Sequence, residues 1–334
     1  MRIALDAMTS ELGVAEAVHG LFGALALDPE LEVLAVGSTP VLETLLHAGP
    51  AALRKRVEIV EAPDVIAMEE EQAVTFKGKK DTASVAVAAR LVKEGRAQGA
   101  VSAGNTGASV MAATLLLGRV PGVRRPAILT PLPHGHGYCG LLDAGGVVDC
   151  RPDDLVQWAV MGSVYMEHVM HVAAPKVGLL SNGEEDSKGN AQTLEALPLM
   201  RLAPINFIGN VEGRDLFNGH CDVAVADGFL GNVVLKTAEG MSKMILGQLR
   251  EGYSAAGLLG KLGGLLSRPV FNRLKSRMSP DEIGGGPLLG VAGNFIISHG
   301  RANRMMIKNA LRVAAECARQ DLAGRLAAAF KAEA

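Results

Sequence analysis

The sequence predicts an α/β fold, a largely parallel sheet covered by helices on both faces. Three observations carry that prediction. Short apolar, partly β-branched runs recur, separated by stretches with helical spacing. Glycine, at 40 of 334 residues, is dispersed through hydrophobic segments with no Gly-X-Y period, as many strand-to-helix turns require. Polar, glycine-rich loops directly follow several of the apolar runs, and α/β sheets bind ligands beyond the carboxyl ends of their strands.

Taken in order, Arg2–Leu5 is a first strand, Glu32–Val36 a second ending at Gly37, and Arg56–Glu61 a third closed by Ala62-Pro63. Ala83–Glu94 has helical spacing and leads through Gly95 to a strand at Gly99–Ser102. Further strands are expected at Ala127–Thr130, Gly140–Asp143, Lys176–Leu180, Ile205–Gly209 and Val223–Ala226. Helices are expected at Thr106–Leu117, Asp153–Val172, Asn190–Arg201 and Asn232–Leu249. The chain is read as a single domain over 1–334 with one interruption, Ser254–Met278. That stretch holds five cations (Lys261, Arg268, Arg273, Lys275, Arg277) and no acid, with Leu258, Leu259, Leu262, Leu265 and Leu266 on one helical face. Pro269 divides it, predicting an inserted amphipathic helical hairpin. A packed α-hairpin shows such a pattern more commonly. The missing acids tilt the reading toward a surface touching lipid or an acidic partner through Leu258, Leu259, Leu262, Lys261 and Arg268.

Composition excludes several classes. Hydrophobic residues reach 49%, which removes a disordered chain, and 33 Lys+Arg against 35 Asp+Glu leave no basic footprint for nucleic acid. Cys139, Cys150, Cys221 and Cys317 are widely spaced without a C-x-x-C pair, so zinc and disulfide frameworks fit poorly and free thiols in a reducing cytoplasm fit well. Asp6 falls where a signal peptide needs its apolar core, and no uninterrupted apolar run approaches the roughly 18 residues of a membrane span. The P-loop, GxSxG and a strand-linked GxGxxG at the N-terminus are all absent. His134 and His136 in PLPHGHGY lack a carboxylate or thiolate cluster, so they read as a solvated loop; His299 in ISHGRAN is better placed to face a ligand. No metal or cofactor is expected.

Five Gly-Asn pairs occur: Gly104-Asn105, Gly189-Asn190, Gly209-Asn210, Gly231-Asn232 and Gly293-Asn294. Any one reads as a turn with a helix cap. The loops around them are richer than turns require. SAGNTGA offers an amide and a hydroxyl; NGEEDSKGN carries Glu184, Glu185 and Lys188; FIGNVEGRD carries Glu212, Arg214 and Asp215; DGFLGNVVLK runs from Asp227 to Lys236. Solvated loops with exchangeable ion pairs account for each alone. Together they point to convergent polar groups suited to an anionic, phosphate-bearing substrate.

These segments resemble the bacterial phosphate acyltransferases of phospholipid synthesis, the PlsX family. The resemblance rests on IALDAM (3–8), SAGNTGA (102–108), VDCRPDDL (148–155), WAVMGSVY (158–165), GEEDSKGN (183–190), INFIGNVEGRD (205–215), DGFLGNVVLKTAEG (227–240) and GGGPLLG with SHG (284–290, 298–300), in the family's order. The chain departs from the pattern at Thr9, Ser10 and Glu11, where relatives read Gly-Gly-Asp, and at Val147, where they carry an amide. The resemblance implies a three-layer α/β/α sandwich similar to isocitrate and isopropylmalate dehydrogenases. It implies acyl transfer from fatty acyl-[acyl carrier protein] to inorganic phosphate, giving acyl phosphate for a membrane glycerol-3-phosphate acyltransferase. A homodimer, a cytoplasmic location and peripheral contact with the membrane surface go with it, the hairpin lying beside the acyl-binding groove.

Phosphate is itself the nucleophile in such a reaction, so the protein must hold an anion about 3–3.5 Å from the thioester carbon and stabilise an oxyanion. The expected catalytic set is Asn105, Lys188, Asn190, Asn210, Asp227, Asn232 and His299. The expected phosphate-binding set is Gly104, Thr106, Gly107, Glu184, Arg214, Gly228 and Gly231. Backbone N–H groups near Gly104–Gly107, with Lys188 or Arg214, would hold phosphate; an Asn amide would serve the oxyanion, Asp227 would orient a cation, and His299 is available as an acid. Two rivals are a short-chain phosphotransacetylase using coenzyme A and a weakly active membrane scaffold.

Overall fold

A computed structural model of the chain describes residues 1–67, 70, 72–278 and 280–331. Among them are strands β1 (Arg2–Asp6), β2 (Glu32–Gly37), β3 (Val57–Glu61), β4 (Gly99–Ser102), β5 (Ala127–Ile128) and β6 (Thr130–His134). There follow β7 (Gly137–Leu142), β8 (Lys176–Leu180), β9 (Asn206–Val211), β10 (Val223–Val225), β11 (Gly286–Leu289) and β12 (Asn294–Ile297). They form two sheets, ordered β3-β2-β1-β4-β12-β11-β5 and β6-β7-β10-β8-β9. The pairs from β3 through β12 are parallel, as are β7-β10-β8-β9; β11 and β5 at one edge of the first sheet and β6 in the second run antiparallel.

The inner strands of the first sheet are buried on both faces, which is why they read as continuous apolar runs, whereas edge strand β3 (VEIVE) is not. On β1, Ile3 and Leu5 join the core beneath helices Val14–Leu27 and Arg304–Arg319, while Ala4 joins the opposite cluster with Ala86 and Ala89 of helix Ser84–Lys93. The first of these clusters continues through Trp158, Val177 and Val223 into the second sheet.

The expected class stands, with corrections in detail. Ala127–Thr130 is not one strand: β5 belongs to the first sheet and β6 to the second, and buried Leu129 between them is where the chain crosses. Apolar periodicity marks a strand without saying which neighbour it pairs with, so the division into two sheets was invisible locally. The PLPHGHGY segment is an antiparallel hairpin in which His134 ends β6, paired to Gly137, and so is not in a loop; His136 lies in the exposed two-residue turn. The helix expected from Asn232 begins at Gly228 and runs 28 residues to Ala255. Helices Val14–Leu27, Thr39–His47, Arg304–Arg319 and Leu322–Lys331 add to those anticipated.

Beyond Ala255, helices Gly257–Leu266 and Arg268–Met278 follow, pinned by an edge-to-face contact between Tyr253 and Phe271 at 5.1 Å. Leu258 and Leu259 are 86% and 83% exposed. From Lys236 to Ala255 the long helix climbs about 28 Å, so these leucines lie a helix length from its first turns. Among the described residues no helix is long and apolar enough to cross a membrane.

Candidate active site

The carboxyl ends of strands from both sheets face one another across a cavity of about 470 Å³. Its polar lining includes Thr106, Asn232, Lys236, Glu239, Ser298 and His299; its apolar lining includes Ile128, Leu132, Phe217, Leu235, Ile297 and Met306. Strands β5, β6, β11 and β12 supply the sides, and the first turns of helix Gly228–Ala255 supply Asn232, Lys236 and Glu239.

Each loop at the rim is fixed by a group at its strand end. Asp6 closes β1 and is buried; it accepts hydrogen bonds from the Thr9 hydroxyl at 2.9 Å and the Ser102 hydroxyl at 2.7 Å. Burial pushes the Asp6 carboxyl above its ordinary range, against those hydroxyls, which pull it down. Gly104 then packs beneath Thr9, where a Cβ would come within 2.8 Å of the threonine Cβ. Asn105 caps the helix beginning at Thr106 by accepting from the Ala108 N–H at 3.1 Å. The Ala108 amide, and that of Gly104 through Ser102 Oγ at 3.3 Å, are thus engaged within the loop.

Asp143 closes β7 in the second sheet through a cis peptide bond from Leu142. It is buried and accepts four backbone N–H groups: Ile128 at 2.9 Å, Gly145 at 3.3 Å, Gly146 at 3.1 Å and Val147 at 2.6 Å. Burial raises its carboxyl too, opposed by those amides. Asp227 ends the β10 segment and caps the long helix by accepting from Leu230 N–H at 2.8 Å. A Cβ on Gly228 would meet Asp143 Oδ2 and the Val147 carbonyl, each at 2.6 Å, and one on Gly231 would fall on the Asp143 carbonyl oxygen. Those two glycines face the Asp143 loop, and their lack of a side chain lets the helix start sit against it.

The departures from the family pattern acquire a structural account. Thr9 bonds Asp6, while buried Ser10 donates to the Ala302 carbonyl at 2.8 Å and Glu11 N–H donates to Gly300 O at 2.9 Å. The Ser10 hydroxyl, in place of a glycine, therefore ties the first loop to the segment following His299, and the Thr9 hydroxyl ties it to Asp6. Val147 contributes through its backbone, donating to Asp143 and accepting from Gly228 N–H at 2.8 Å.

His299 is exposed at the cavity, and its Nδ1 accepts the Arg301 N–H at 3.0 Å. That bond assigns the hydrogen of the neutral ring to Nε2. Desolvation and the Lys236 ammonium lower the ring's pKa below its ordinary 6.5.

The expected residues thus divide. Thr106, Asn232 and His299 line the cavity, with Gly104, Asn105 and Gly107 in the loop that opens the Thr106 helix. Lys188, Asn190, Asn210, Glu184 and Arg214 do not line it. Glu184, Lys188 and Asn190 follow β8, Asn210 lies in β9 and Arg214 follows it, and they form a network of their own. Arg214 pairs with Glu184 at 2.8 Å and Glu212 at 2.7 Å; Asn210 donates to the Glu185 carbonyl at 2.9 Å; Asn190 caps helix Ala191–Met200 by accepting from Thr193 N–H at 2.9 Å. Lys236, Glu239 and Ser298 were missed as site residues. Spacing from Asn232 held a signal for two of them, because Lys236 lies four and Glu239 seven residues further along one helical face. Half-buried Cys150 lies near this region, but burial and then the Asp154 and Asp227 carboxylates push its thiol up to about 12, unlike a nucleophile.

A family model described as fatty acid synthesis protein matches residues 1–325. The phosphate acyltransferase of Heliobacterium modesticaldum is 48% identical over 321 residues, 96% of this chain and 95% of that protein. A phosphotransacetylase from Streptococcus pyogenes shares the fold with a TM-score of 0.61 at 18% identity, covering 96% of this chain and 94% of that one. A 4-hydroxythreonine-4-phosphate dehydrogenase from Klebsiella pneumoniae does so at 0.56 and 12% identity, covering 95% and 99%. Loops ordered in this way at the carboxyl ends of an α/β sandwich, on a sequence matched nearly end to end, show that the chain belongs to the PlsX family of phosphate acyltransferases.

Proposed function

We propose that the cavity between the two sheets is where a fatty acyl thioester and inorganic phosphate meet. As a phosphate acyltransferase the protein forms acyl phosphate. A phosphate oxygen attacks the carbonyl carbon, a C–O bond forms as the C–S bond breaks, and the sulfur departs as thiolate, taking up the proton phosphate releases. The observation carrying the proposal is the mixed lining: polar groups that follow strands of both sheets and apolar side chains share one cavity. The apolar side chains suit an acyl chain, and the polar groups suit the charge that develops at the carbonyl.

In this reading the Nε2–H of neutral His299 and the Asn232 amide donate to the developing oxyanion. A neutral imidazole whose pKa is lowered is a hydrogen-bond donor here, not a proton source. Thr106 supplies a hydroxyl for phosphate. The acyl donor is an acyl-[acyl carrier protein], the chain works as a homodimer, and the exposed Leu258 and Leu259 touch the membrane surface where a glycerol-3-phosphate acyltransferase takes up the product. Cations beside an exposed apolar tip support the last point.

The deciding experiment supplies purified protein with phosphate and either palmitoyl-carrier protein or acetyl-coenzyme A. Hydroxylamine-reactive acyl phosphate from the first and not the second is expected; the reverse pattern establishes the short-chain phosphotransacetylase, and no product from either sinks the reading. Replacing Leu258 and Leu262 by Glu should abolish liposome flotation while soluble turnover continues.

A further inference from the structure

Phosphate is a multiply charged anion, and entering the cavity strips it of water. A cation compensates that loss most directly, through charge-assisted hydrogen bonds. Among the described residues, the cavity lining contains a single lysine or arginine, Lys236, and a single carboxylate, Glu239. The two bases expected to hold phosphate sit elsewhere: Arg214 is occupied by Glu184 and Glu212, and Lys188 belongs to the loop after β8.

Lys236 follows Asn232 by four residues on the long helix, so both present to the same wall. Its Nζ lies 3.2 Å from Glu239 Oε1 and 3.1 Å from Oε2. The two partners are unequal. The lysine side chain is 49% exposed and the glutamate only 15%, so the carboxylate is the fixed member and the ammonium, on its flexible four-carbon stem, the movable one. His299 lines the same cavity, two residues after the end of β12 at Ile297.

We propose that Lys236 is the cation that binds the attacking phosphate, and that Glu239 is a positioning residue holding the ammonium at the cavity until phosphate displaces it. The inference rests on the acyl-phosphate reading above. With the pair closed, the cavity has no uncompensated charge, which favours entry of an apolar chain. When phosphate arrives, its oxygens replace the glutamate as partners of Nζ. The glutamate therefore competes with substrate, and the two residues have opposite effects on phosphate affinity.

The test measures phosphate binding to the whole protein by titration calorimetry, with phosphate KM and acyl-donor KM taken separately. Lys236→Gln should weaken phosphate about ten- to hundredfold, the scale of a charge-assisted hydrogen bond, with acyl-donor KM within about twofold. Lys236→Arg should recover part of that loss. Glu239→Gln should tighten phosphate severalfold. The pH profile supplies a readout that a merely structural lysine would leave alone. His299 is faced by Lys236, Glu239 and Lys243 from the long helix and by Glu11 from the first loop. Losing Lys236 removes a charge that lowers the ring's pKa, so the acidic limb of activity should move up in pH, and losing Glu239 should move it down.

Phosphate affinity within twofold of wild type in Lys236→Gln, or weakened in Glu239→Gln, overturns the inference. Because calorimetry needs no turnover, that outcome is distinct from failure of acyl transfer, which would show as no product from the wild-type protein.

Discussion

Asp6 and Asp143 each close a strand at the rim of the cavity, and each is sealed from solvent, yet they hold their loops by different means. Asp6 is met mainly by hydroxyls, those of Thr9 and Ser102. Asp143 is met, among the described residues, by four backbone N–H groups. A hydroxyl rotates and either donates or accepts, whereas a backbone amide only donates. The first network therefore tolerates a change in its centre, and the second does not. Where the chain departs from the family pattern, Thr9 and Ser10 add side-chain bonds that glycine cannot make, while Val147 contributes by backbone, which any residue but proline provides.

Three substitutions sharpen or break the comparison. The largest effect is expected from Gly231→Ala, whose new methyl falls on the Asp143 carbonyl and forces the long helix off the loop. Backbone on one side and helix on the other leave no flexible atom to yield, so the cost should be about 3 kcal/mol or more, read by urea denaturation. Asp143→Asn comes next. One amide N–H of the new side chain must face a backbone N–H, so about 2–3 kcal/mol should be lost, with cavity residues such as Asn232 displaced because Gly145 packs against it.

Asp6→Asn should change stability least, by about 1 kcal/mol or less at neutral pH, as the hydroxyls reorient around it. Its sign depends on pH. Burial raises the Asp6 pKa above its unfolded value, so the carboxyl's contribution to stability is fully present below about 3.9 and is lost as pH rises through the folded pKa. The wild type should accordingly lose stability relative to the Asn variant as pH rises across that window, measured as the difference in urea midpoint. Equal losses for Asp143→Asn and Asp6→Asn would show that the two loops are held alike, and the comparison would fail.

How much of this was legible varied by level. The strands at Gly99–Ser102 and Lys176–Leu180 match the expected bounds, because strands buried on both faces between glycine-rich turns leave little ambiguity. The caps at Asn105 and Asn190 were visible as polar residues opening helices, whereas Asp227 caps a helix that was expected to begin only at Asn232. Illegible were Leu129, an apolar residue that ends one sheet and begins another, and the separation of Lys188 and Arg214 from the cavity. Both concern which strands are neighbours, and that is decided by contacts among residues far apart in sequence.

By itself the sequence determined the α/β class, the run of strands and helices, and the chemistry at each loop, because those follow from local periodicity, glycine and capping residues. It also carried the family, through segments spanning nearly the whole chain. Only the tertiary structure decided that the strands divide into two sheets, that Gly228 and Gly231 serve packing against Asp143, and that Lys236 and not Arg214 lines the cavity. The reason is physical: residue type fixes what a side chain can do, while strand order fixes what it stands beside.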